Sequence, residues 1–425
     1  MRGVMIVLLV VITMAAHAQP VRWSVEDWQA DLEHLHTVIK TQHANPYHTI
    51  SEAELDASFE TLHERLPMMD DAAIAIAIQR NLASLGDGHS HIGFSAQDLV
   101  QFHPIRLHWF SDGIFITEAR DGGPTGRLLA IDGMPIEEII GRVTPYISRD
   151  NEMAIPALLP GRLRMAEFLH ALGIANSADE ATYTVEREDG TREEMMTRAV
   201  PYTDIQAWES NRPHDSTLPL YRRDPATNYW YEPLPDEGIM YMQFNTVQPM
   251  EDRHLGQFSS EMLGYMDEHG MDCLIIDIRH NGGGNGSILG SLLRRLSQHE
   301  RINQPGHLYL ITGPRTFSAA LILTMRLERE TEVLIAGEAG RGKPNSYSET
   351  GAYELLHTGL GGSVSALFRQ EGEPDDNRMM VPPDIPATIS YDDYRAGRDP
   401  VLEAVLAHWH EARGRPERIS PAEEK

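Results

Sequence analysis

Apolar residues recur at helical spacing in the first part of the chain. Positions 28, 32, 35, 38 and 39 are apolar and predict a helix that ends near Asn45-Pro46. The run S-E-A-E at 51–54 is typical of a capping box that opens a second helix. Asp70 or Asp71 can cap a third helix, which ends before the run L-G-D-G-H-S-H at 85–91. We therefore predict a helical region over residues 19–98.

The next hundred residues have a different pattern. Short alternating or apolar runs at 106–109, 114–118 and 127–132 predict strands, and a helix begins near 135. A further hairpin is indicated around 182–190. Residues 99–202 therefore form a predicted β-rich region, and 203–228 is a predicted linker because it is polar and has no periodicity.

From residue 229 onward, apolar strands alternate with amphipathic helices. The predicted strands are 239–244, 273–278, 308–312 and 333–337, and the predicted helices between them are 254–268, 287–296 and 318–327. This alternation is typical of an α/β core with a mainly parallel sheet, whose functional sites follow the carboxyl ends of strands. The predicted core spans 229–412, and 413–425 is a polar tail.

The N-terminus has the pattern of a secretory signal. Arg2 precedes an apolar run over 4–15, and Ala16-His17-Ala18 places small residues where a signal peptidase cleaves. A membrane anchor is the alternative, but the run is short for a bilayer span. We predict that residues 1–18 are removed, that no integral membrane segment remains, and that the protein is exported to a periplasmic or extracellular space.

Composition narrows the possible partners. The chain of 425 residues has 36 basic and 63 acidic residues, a formal net charge of −27. Such a charge disfavours binding to nucleic acid and to anionic membranes. Cys273 is the single cysteine, so no internal disulfide can form.

Two strand-to-helix turns carry candidate chemistry. The first follows a buried strand with the run D-I-R-H-N-G-G-G at 277–284, where glycines let backbone N–H groups approach a ligand. The second places Ser318 at the first turn of a helix, followed by alanines. On this segment alone Ser318 is either a helix N-cap or a nucleophile.

Two further segments offer a proton acceptor or a metal ligand. Lys343 lies in a glycine-broken loop after the strand at 333–337 and is the only lysine between Lys40 and Lys425. Asp87-Gly88-His89-Ser90-His91 has histidines at i and i+2, which suggests a metal, a single functional histidine or surface histidines. No third metal ligand can be placed from the sequence, so we predict no metal and no organic cofactor.

Together these motifs resemble the tail-specific, or C-terminal processing, serine peptidase family, which includes the tricorn core protease and the interphotoreceptor retinoid-binding protein. The resemblance extends over 23–408, and its most specific parts are 275–284 and 316–320. The stretches G-E-A-G-R-G-K at 337–343, P-D-I at 383–385 and G-R-D-P-V-L at 397–402 also resemble family signatures. The run D-G-H-S at 87–90 resembles the tricorn-like branch.

This resemblance implies a crotonase-like core of ββα units, preceded by a helical region and a degenerate PDZ-like or β-rich segment. It implies Ser318 as nucleophile and a backbone oxyanion hole from Gly283 and Ala319. The base is left open: His89 matches the tricorn-like branch, whereas Lys343 lies 25 residues after the serine, as in the Ser–Lys branch. We favour His89, because a lysine must be desolvated to act near neutral pH.

The sequence departs from the family pattern at two positions. Gly340 replaces a threonine, and the acid that the tricorn-like branch places before P-D-I is absent, with Asp376 as the candidate substitute. The first hypothesis is therefore an exported serine peptidase acting on a peptide or protein substrate. The second is a binding module of the same fold without catalysis, and a metal hydrolase using His89 and His91 is a distant third.

Overall fold

A computed structural model describes residues 22–94, 99–210 and 215–414. The predicted signal peptide and most of the predicted polar tail lie outside these residues. Within them the chain folds as a mixed α/β protein with three sheets. The helices are α1 Val25–Gln42, α2 Glu52–Arg65, α3 Asp71–Ala83, α4 Ile136–Val143, α5 Ala154–Arg162, α6 Ala166–Ala171, α7 Tyr202–Ser210, α8 Leu255–His269, α9 Gly290–Gln298, α10 Ala319–Glu330, α11 Tyr391–Arg395 and α12 Pro400–Ala412.

The strands fall into three groups along the chain. They are β1 His91–Ile92, β2 Ile105–Phe110, β3 Gly113–Ala119, β4 Gly126–Ile131, β5 Met134–Pro135, β6 Glu180–Glu186, β7 Arg192–Arg198, β8 Tyr229–Leu234, β9 Ile239–Phe244, β10 Cys273–Asp277, β11 Leu308–Thr312, β12 Leu334–Gly337, β13 Asn345–Glu354, β14 Gly361–Gln370 and β15 Ile385–Pro386.

The N-terminal helices form as the hydrophobic pattern predicts. Ser51 and Glu54 make the reciprocal hydrogen bonds of a capping box at the start of α2, and Asp70 caps α3 by accepting from the N–H of Ala73. The apolar faces of these helices join the middle antiparallel sheet, of order β2-β3-β4-β6-β7, in one hydrophobic core. The two regions that the sequence separates therefore share a single core.

The C-terminal part is built on a second sheet of order β15-β12-β11-β10-β9-β8. Strands β9 to β12 and β15 are parallel, and β8 is an antiparallel edge strand. Alternate residues of β9, β10 and β11 face opposite sides: one face packs on α8, α9 and α10, and the other packs on α12. This arrangement places the turns after β10 and β11 next to each other at one edge.

Two features were not predicted. The prediction of a linker over 203–228 is wrong in part, because α7 extends to Ser210 and the 3-10 turn Leu220–Arg222 packs into the core around α12. The long hairpin of β13 and β14 also went unpredicted. It pairs with β1, where His91 lies opposite Ser363, and so carries the segment that contains His89 toward the second sheet.

Candidate active site

Ser318 lies at the N-cap of α10 in a backbone conformation that non-glycine residues rarely adopt. Its φ is 52° and its ψ is −121°. The side chain caps no N–H of its own helix, so the interpretation of Ser318 as an ordinary helix cap is wrong. Strain of this kind persists only where the surroundings impose it, and it is common at active sites. The neighbouring glycine turn imposes it here.

Gly283 packs directly against the serine. A Cβ added to Gly283 would lie 2.6 Å from the Cβ of Ser318 and 3.0 Å from the backbone nitrogen of Ala319. The N–H of Phe317 donates to the carbonyl of Asn281 at 3.1 Å, which ties the two turns together. The glycine turn and the serine turn are therefore adjacent, as the sequence predicts.

The backbone donors of the two turns differ in what they bond. The N–H of Gly283 donates to Oδ1 of Asn281 at 2.9 Å, so it is already engaged within the turn. Ala319 is the first residue of α10, and its N–H has no carbonyl partner inside the helix. The oxyanion hole from Gly283 and Ala319 therefore stays a prediction, and only Ala319 contributes a donor that is not committed elsewhere.

His89 reaches Ser318 across 229 residues of sequence. Its Nε2 lies 3.0 Å from Oγ of Ser318, within hydrogen-bonding distance. Its ring stacks on Phe317, with ring centroids 4.4 Å apart. The pKa of His89 is lowered to about 4, mainly by burial and also by the positive charge of Arg341, whereas Asp87 opposes the shift. At neutral pH the imidazole is therefore uncharged and able to accept the proton of the hydroxyl.

Asp87 is a structural residue that shapes the turn carrying His89. Its buried carboxylate accepts hydrogen bonds from the N–H groups of His89 and Ser90 at 2.9 and 2.8 Å, and from the hydroxyl of Ser365. His43 donates from Nε2 at 3.0 Å, because its Nδ1 accepts from the N–H of Asn45. Burial raises the pKa of Asp87, but the bonds from His43 and Ser365 outweigh it and lower the pKa.

Lys343 lines the same cavity as Ser318 and His89. Among the described residues, no hydrogen bond joins Lys343 to Ser318, whereas His89 is in contact with it. Of the two candidate bases, the geometry thus brings only the histidine to the nucleophile.

Asp376 does not orient His89, and that prediction is wrong. Its carboxylate pairs with the guanidinium of Arg378 at 2.8 Å, and Arg378 also bonds Glu328 on α10. The position of Asp376 before P-D-I suggested an acid that orients the base, but the neighbouring Arg378 neutralises its charge.

Asp150 is a buried acid in the same cavity that the sequence analysis did not single out. Its Oδ1 accepts from the N–H of Gly88 at 3.1 Å, and its Oδ2 is buried and has no hydrogen-bond partner in the part of the chain described. Nδ1 of His89, the residue after Gly88, is likewise buried and has no hydrogen-bond partner among the described residues. Burial raises the pKa of Asp150 to about 7, and the charge of Asp87 adds to this shift. No motif marks Asp150, because it lies in a loop outside every signature.

Two segments that resemble signatures of the peptidase family form a buried ion-pair network. The guanidinium of Arg279 makes a bidentate pair with Asp399, with both N–O distances 2.9 Å, and also bonds Asp277. All three side chains are buried, and Tyr241 donates to Asp277 at 2.8 Å. The D-I-R and R-D-P runs thus anchor α12 beneath the sheet rather than contact the serine.

The metal hypothesis lacks a ligand set. Nδ1 of His91 lies 3.1 Å from both the carbonyl of His89 and the hydroxyl of Ser363. Across residues 22–94, 99–210 and 215–414, no three His, Cys, Asp or Glu side chains are grouped as metal ligands. The same ranges contain no helix that is long and apolar enough to cross a membrane.

Solved structures with this architecture exist. A CPAF point mutant superposes with a TM-score of 0.66 at 13% identity, covering 93% of this chain and 99% of that chain. Mature CPAF complexed with lactacystin gives 0.64 at 13% identity, covering 92% and 98%. This chain shares its fold with CPAF.

Other solved structures superpose on the chain less closely. The photosystem II D1 C-terminal processing protease gives a TM-score of 0.41 at 16% identity, covering 89% of this chain and 96% of that chain. No family model and no curated protein sequence matches the chain. At the level of the fold, the likeness to CPAF supports the resemblance to the tail-specific serine peptidase family.

Proposed function

We propose that the chain is a serine peptidase that cleaves peptide bonds through an acyl-enzyme on Ser318. The observation that carries the proposal is the 3.0 Å contact between Nε2 of His89 and Oγ of a serine with strained backbone. A nucleophile and base within hydrogen-bonding distance are the minimum that acyl transfer requires. The shared fold with CPAF is consistent with this chemistry.

In the proposed reaction, Oγ of Ser318 attacks the substrate carbonyl carbon while Nε2 of His89 takes the hydroxyl proton. The protonated His89 then gives that proton to the leaving amine, and water hydrolyses the acyl-enzyme by the reverse sequence. A base whose pKa is about 4 binds a proton weakly. Formation of the imidazolium therefore needs a nearby negative charge.

Asp87 supplies one such charge, and we propose Asp150 as a second source. Its Oδ2 and the Nδ1 of His89 are both buried with no hydrogen-bond partner among the described residues, and Oδ2 lies 3.4 Å from where a Cβ on Gly88, the residue before His89, would stand. An ionised Asp150 stabilises the imidazolium, which raises the pKa of His89 toward the working pH. Asp150 thus takes the role that the sequence assigned to Asp376.

For the tetrahedral oxyanion we propose two backbone donors. The N–H of Ala319 is one, at the positive end of the α10 dipole. The second is the N–H of Gly283, which can be shared between the amide oxygen of Asn281 and the oxyanion as a three-centre hydrogen bond. Asn281 holds this donor in place, since its own Nδ2 is fixed to the carbonyl of Phe244 at 2.8 Å.

The domain types and location inferred from the sequence are part of the proposal. We propose that 229–412 is a crotonase-like core and 99–202 a degenerate PDZ-like segment. We also propose export after cleavage following Ala18. N-terminal sequencing of protein recovered from the periplasm and the medium tests this: a mature chain starting at Gln19 is expected, and an intact Met1 in a cytoplasmic fraction would contradict it.

The peptidase proposal is tested by turnover of a blocked peptide library, read by mass spectrometry. Wild-type protein is expected to generate new termini, and Ser318→Ala to generate none. We expect His89→Ala to lower kcat/KM by about 100- to 10,000-fold, the contribution of a general base. Lys343→Ala is expected to retain the base and most of the activity. A greater loss with Lys343→Ala than with His89→Ala would transfer the role to the lysine.

A catalytically inactive binding module is the second candidate. The observation that favours it is the buried Nδ1 of His89, which no acid contacts directly among the described residues. Folded wild-type protein that binds peptides but leaves every library member uncut would support this alternative.

A further inference from the structure

The cavity beside Ser318 has a charge opposite to that of the protein as a whole. Its volume is about 1100 Å³, and it opens beside Ser318 and His89. Acidic residues outnumber basic ones 63 to 36 in the chain, yet six basic and three acidic side chains line this cavity. The basic ones are Arg162, Arg326, Arg329, Arg341, Lys343 and Arg369.

Half of these cations already form ion pairs with neighbouring carboxylates. Arg326 pairs with Glu330 at 3.0 Å, and Arg329 pairs with the same carboxylate at 3.2 Å. Arg369 pairs with Glu349 and, at 3.6 Å, with Glu371. Within the described ranges the other three, Arg162, Arg341 and Lys343, have no carboxylate within ion-pairing distance.

Arg341 is held in place without a counter-ion. Its guanidinium lies 3.8 Å from the ring centroid of Phe317, the ring on which His89 also stacks. Nδ2 of Asn151 bonds the carbonyls of Gly340 and Gly342, each at 3.1 Å, so the backbone on both sides of the arginine is fixed. A fixed guanidinium next to the base is prepared to receive an anion without further ordering.

Arg162 approaches the cavity from the opposite part of the chain, at the end of α5. Among residues 22–94, 99–210 and 215–414, its one polar contact is Nη1 to the sulfur of Met165 at 3.3 Å, and its guanidinium lies 5.1 Å from the Phe94 ring. Burial lowers the pKa values of Arg162 and Arg341 to about 10, so both are charged at neutral pH. Burial lowers the pKa of His91, and the charges of Arg162 and Arg341 lower it as well.

Two partly buried cations without carboxylate partners among the described residues are costly to a folded protein. Asp150 is the one acid that acts on Arg341, and it forms no ion pair with it. The cost is offset when an anionic group enters the cavity and pairs with the guanidinium of Arg341. A carboxylate has the planar, two-oxygen geometry that a guanidinium binds best.

We propose that Arg341 forms a subsite for the side-chain carboxylate of an aspartate or glutamate in the peptide that Ser318 attacks, with Arg162 adding positive charge to the same cavity. This inference rests on the proposed function for its position in a reaction, but its binding step can be measured without turnover. It assigns an acidic peptide segment as the substrate class of a strongly acidic protein.

The test uses full-length Ser318→Ala protein and two matched pools of acetylated and amidated decapeptides. One pool carries a central Glu, the other a central Gln, and the flanking positions are randomised. We expect the Glu pool to bind at least about 10-fold more tightly, the lower end of what a charged hydrogen bond contributes. The preference should weaken as salt is added.

Matched variants in the same background assign the effect to residues. Arg341→Met should remove most of the Glu preference, and Arg341→Lys should keep part of it because the charge remains. Arg326→Met is the control: it removes a cation from the same cavity, but one that Glu330 already neutralises. A third pool, with Gln and a free C-terminal carboxylate, separates a side-chain carboxylate from a terminal one.

Several results would overturn the inference. These are equal binding of the Glu and Gln pools, an equal loss of preference with Arg326→Met, or tight binding of the free-terminus pool alone. If wild-type protein cuts the Gln pool as fast as the Glu pool, the subsite is wrong while the peptidase stands. If the Glu preference appears but no peptide is ever cut, the subsite stands and the peptidase proposal fails.

Discussion

Substitution of Gly283 by alanine is a stringent test of how the two turns hold the nucleophile. Gly283 has a φ of 105°, and a Cβ there would lie 2.6 Å from the Cβ of Ser318 and 2.9 Å from the carbonyl oxygen of Phe317. Ordinary carbon–carbon contacts are about 3.5 to 4.0 Å, so the serine must move by about 1 Å or the turn must open.

The size of the effect follows from these distances. A displacement of about 1 Å at a reacting group costs on the order of 100-fold in rate. The left-handed backbone adds about 1 to 3 kcal/mol of strain, and overpacking adds a similar amount. We therefore expect Gly283→Ala to lower kcat about 100-fold and to lower the free energy of unfolding by about 2 to 6 kcal/mol.

The assay compares this variant with Gly282→Ala, one residue earlier in the same turn. A Cβ on Gly282 meets no atom within 4 Å, so this variant should retain most activity and stability. Both proteins are measured by peptide turnover and by urea unfolding. Full activity of Gly283→Ala, or equal losses in the two variants, would refute the close packing of the glycine turn on Ser318.

Three further predictions concern acidic side chains to which the structure gives different roles. Asp150→Asn should lower kcat/KM and remove a step in its pH profile near 7, since the Asp150 pKa is raised to about 7 and activity requires the ionised form above it; a pH profile unchanged from wild type would contradict this. Asp399→Asn keeps the capping oxygen of α12 but replaces the carboxylate that bonds Arg279 in bidentate fashion, while Arg279 retains Asp277 as a counter-ion. Urea unfolding should therefore show a loss of about 1 to 3 kcal/mol, and an unchanged stability would show that the bidentate pair is dispensable. Asp376→Asn should leave kcat/KM within about twofold, because Asp376 pairs with Arg378; a 100-fold loss would restore it as the orienting acid.

Much of the fold could be predicted because its signals are local. The capping box at Ser51 and the apolar runs of β9, β10 and β11 are visible in short windows of sequence. Parallel strands then bring consecutive turns to one edge, so the proximity of Gly283 and Ser318 follows from topology. The strands predicted in the β-rich middle region also form, because turn residues mark the ends of the strands in its hairpins.

The remaining features depend on contacts between distant segments. Asp150 lies in an unremarkable loop, and only folding brings it to Gly88. Asp376 was misassigned because Arg378, two residues away, captures its carboxylate. Arg279 and Asp399 are 120 residues apart, so nothing local separates an anchoring signature from a catalytic one. Neither the hydrophobic periodicity nor the secondary-structure propensity of a segment reveals such contacts between side chains far apart in the sequence.

The central claim is that Ser318 is a nucleophile activated by His89. A fluorophosphonate probe, which phosphonylates activated serines, tests it most directly when the adduct is mapped by mass spectrometry. The account predicts one adduct, on Ser318, that is absent in Ser318→Ala, strongly slowed in His89→Ala and retained in Lys343→Ala. Folded wild-type protein with no adduct, or an adduct that persists in Ser318→Ala, would contradict it.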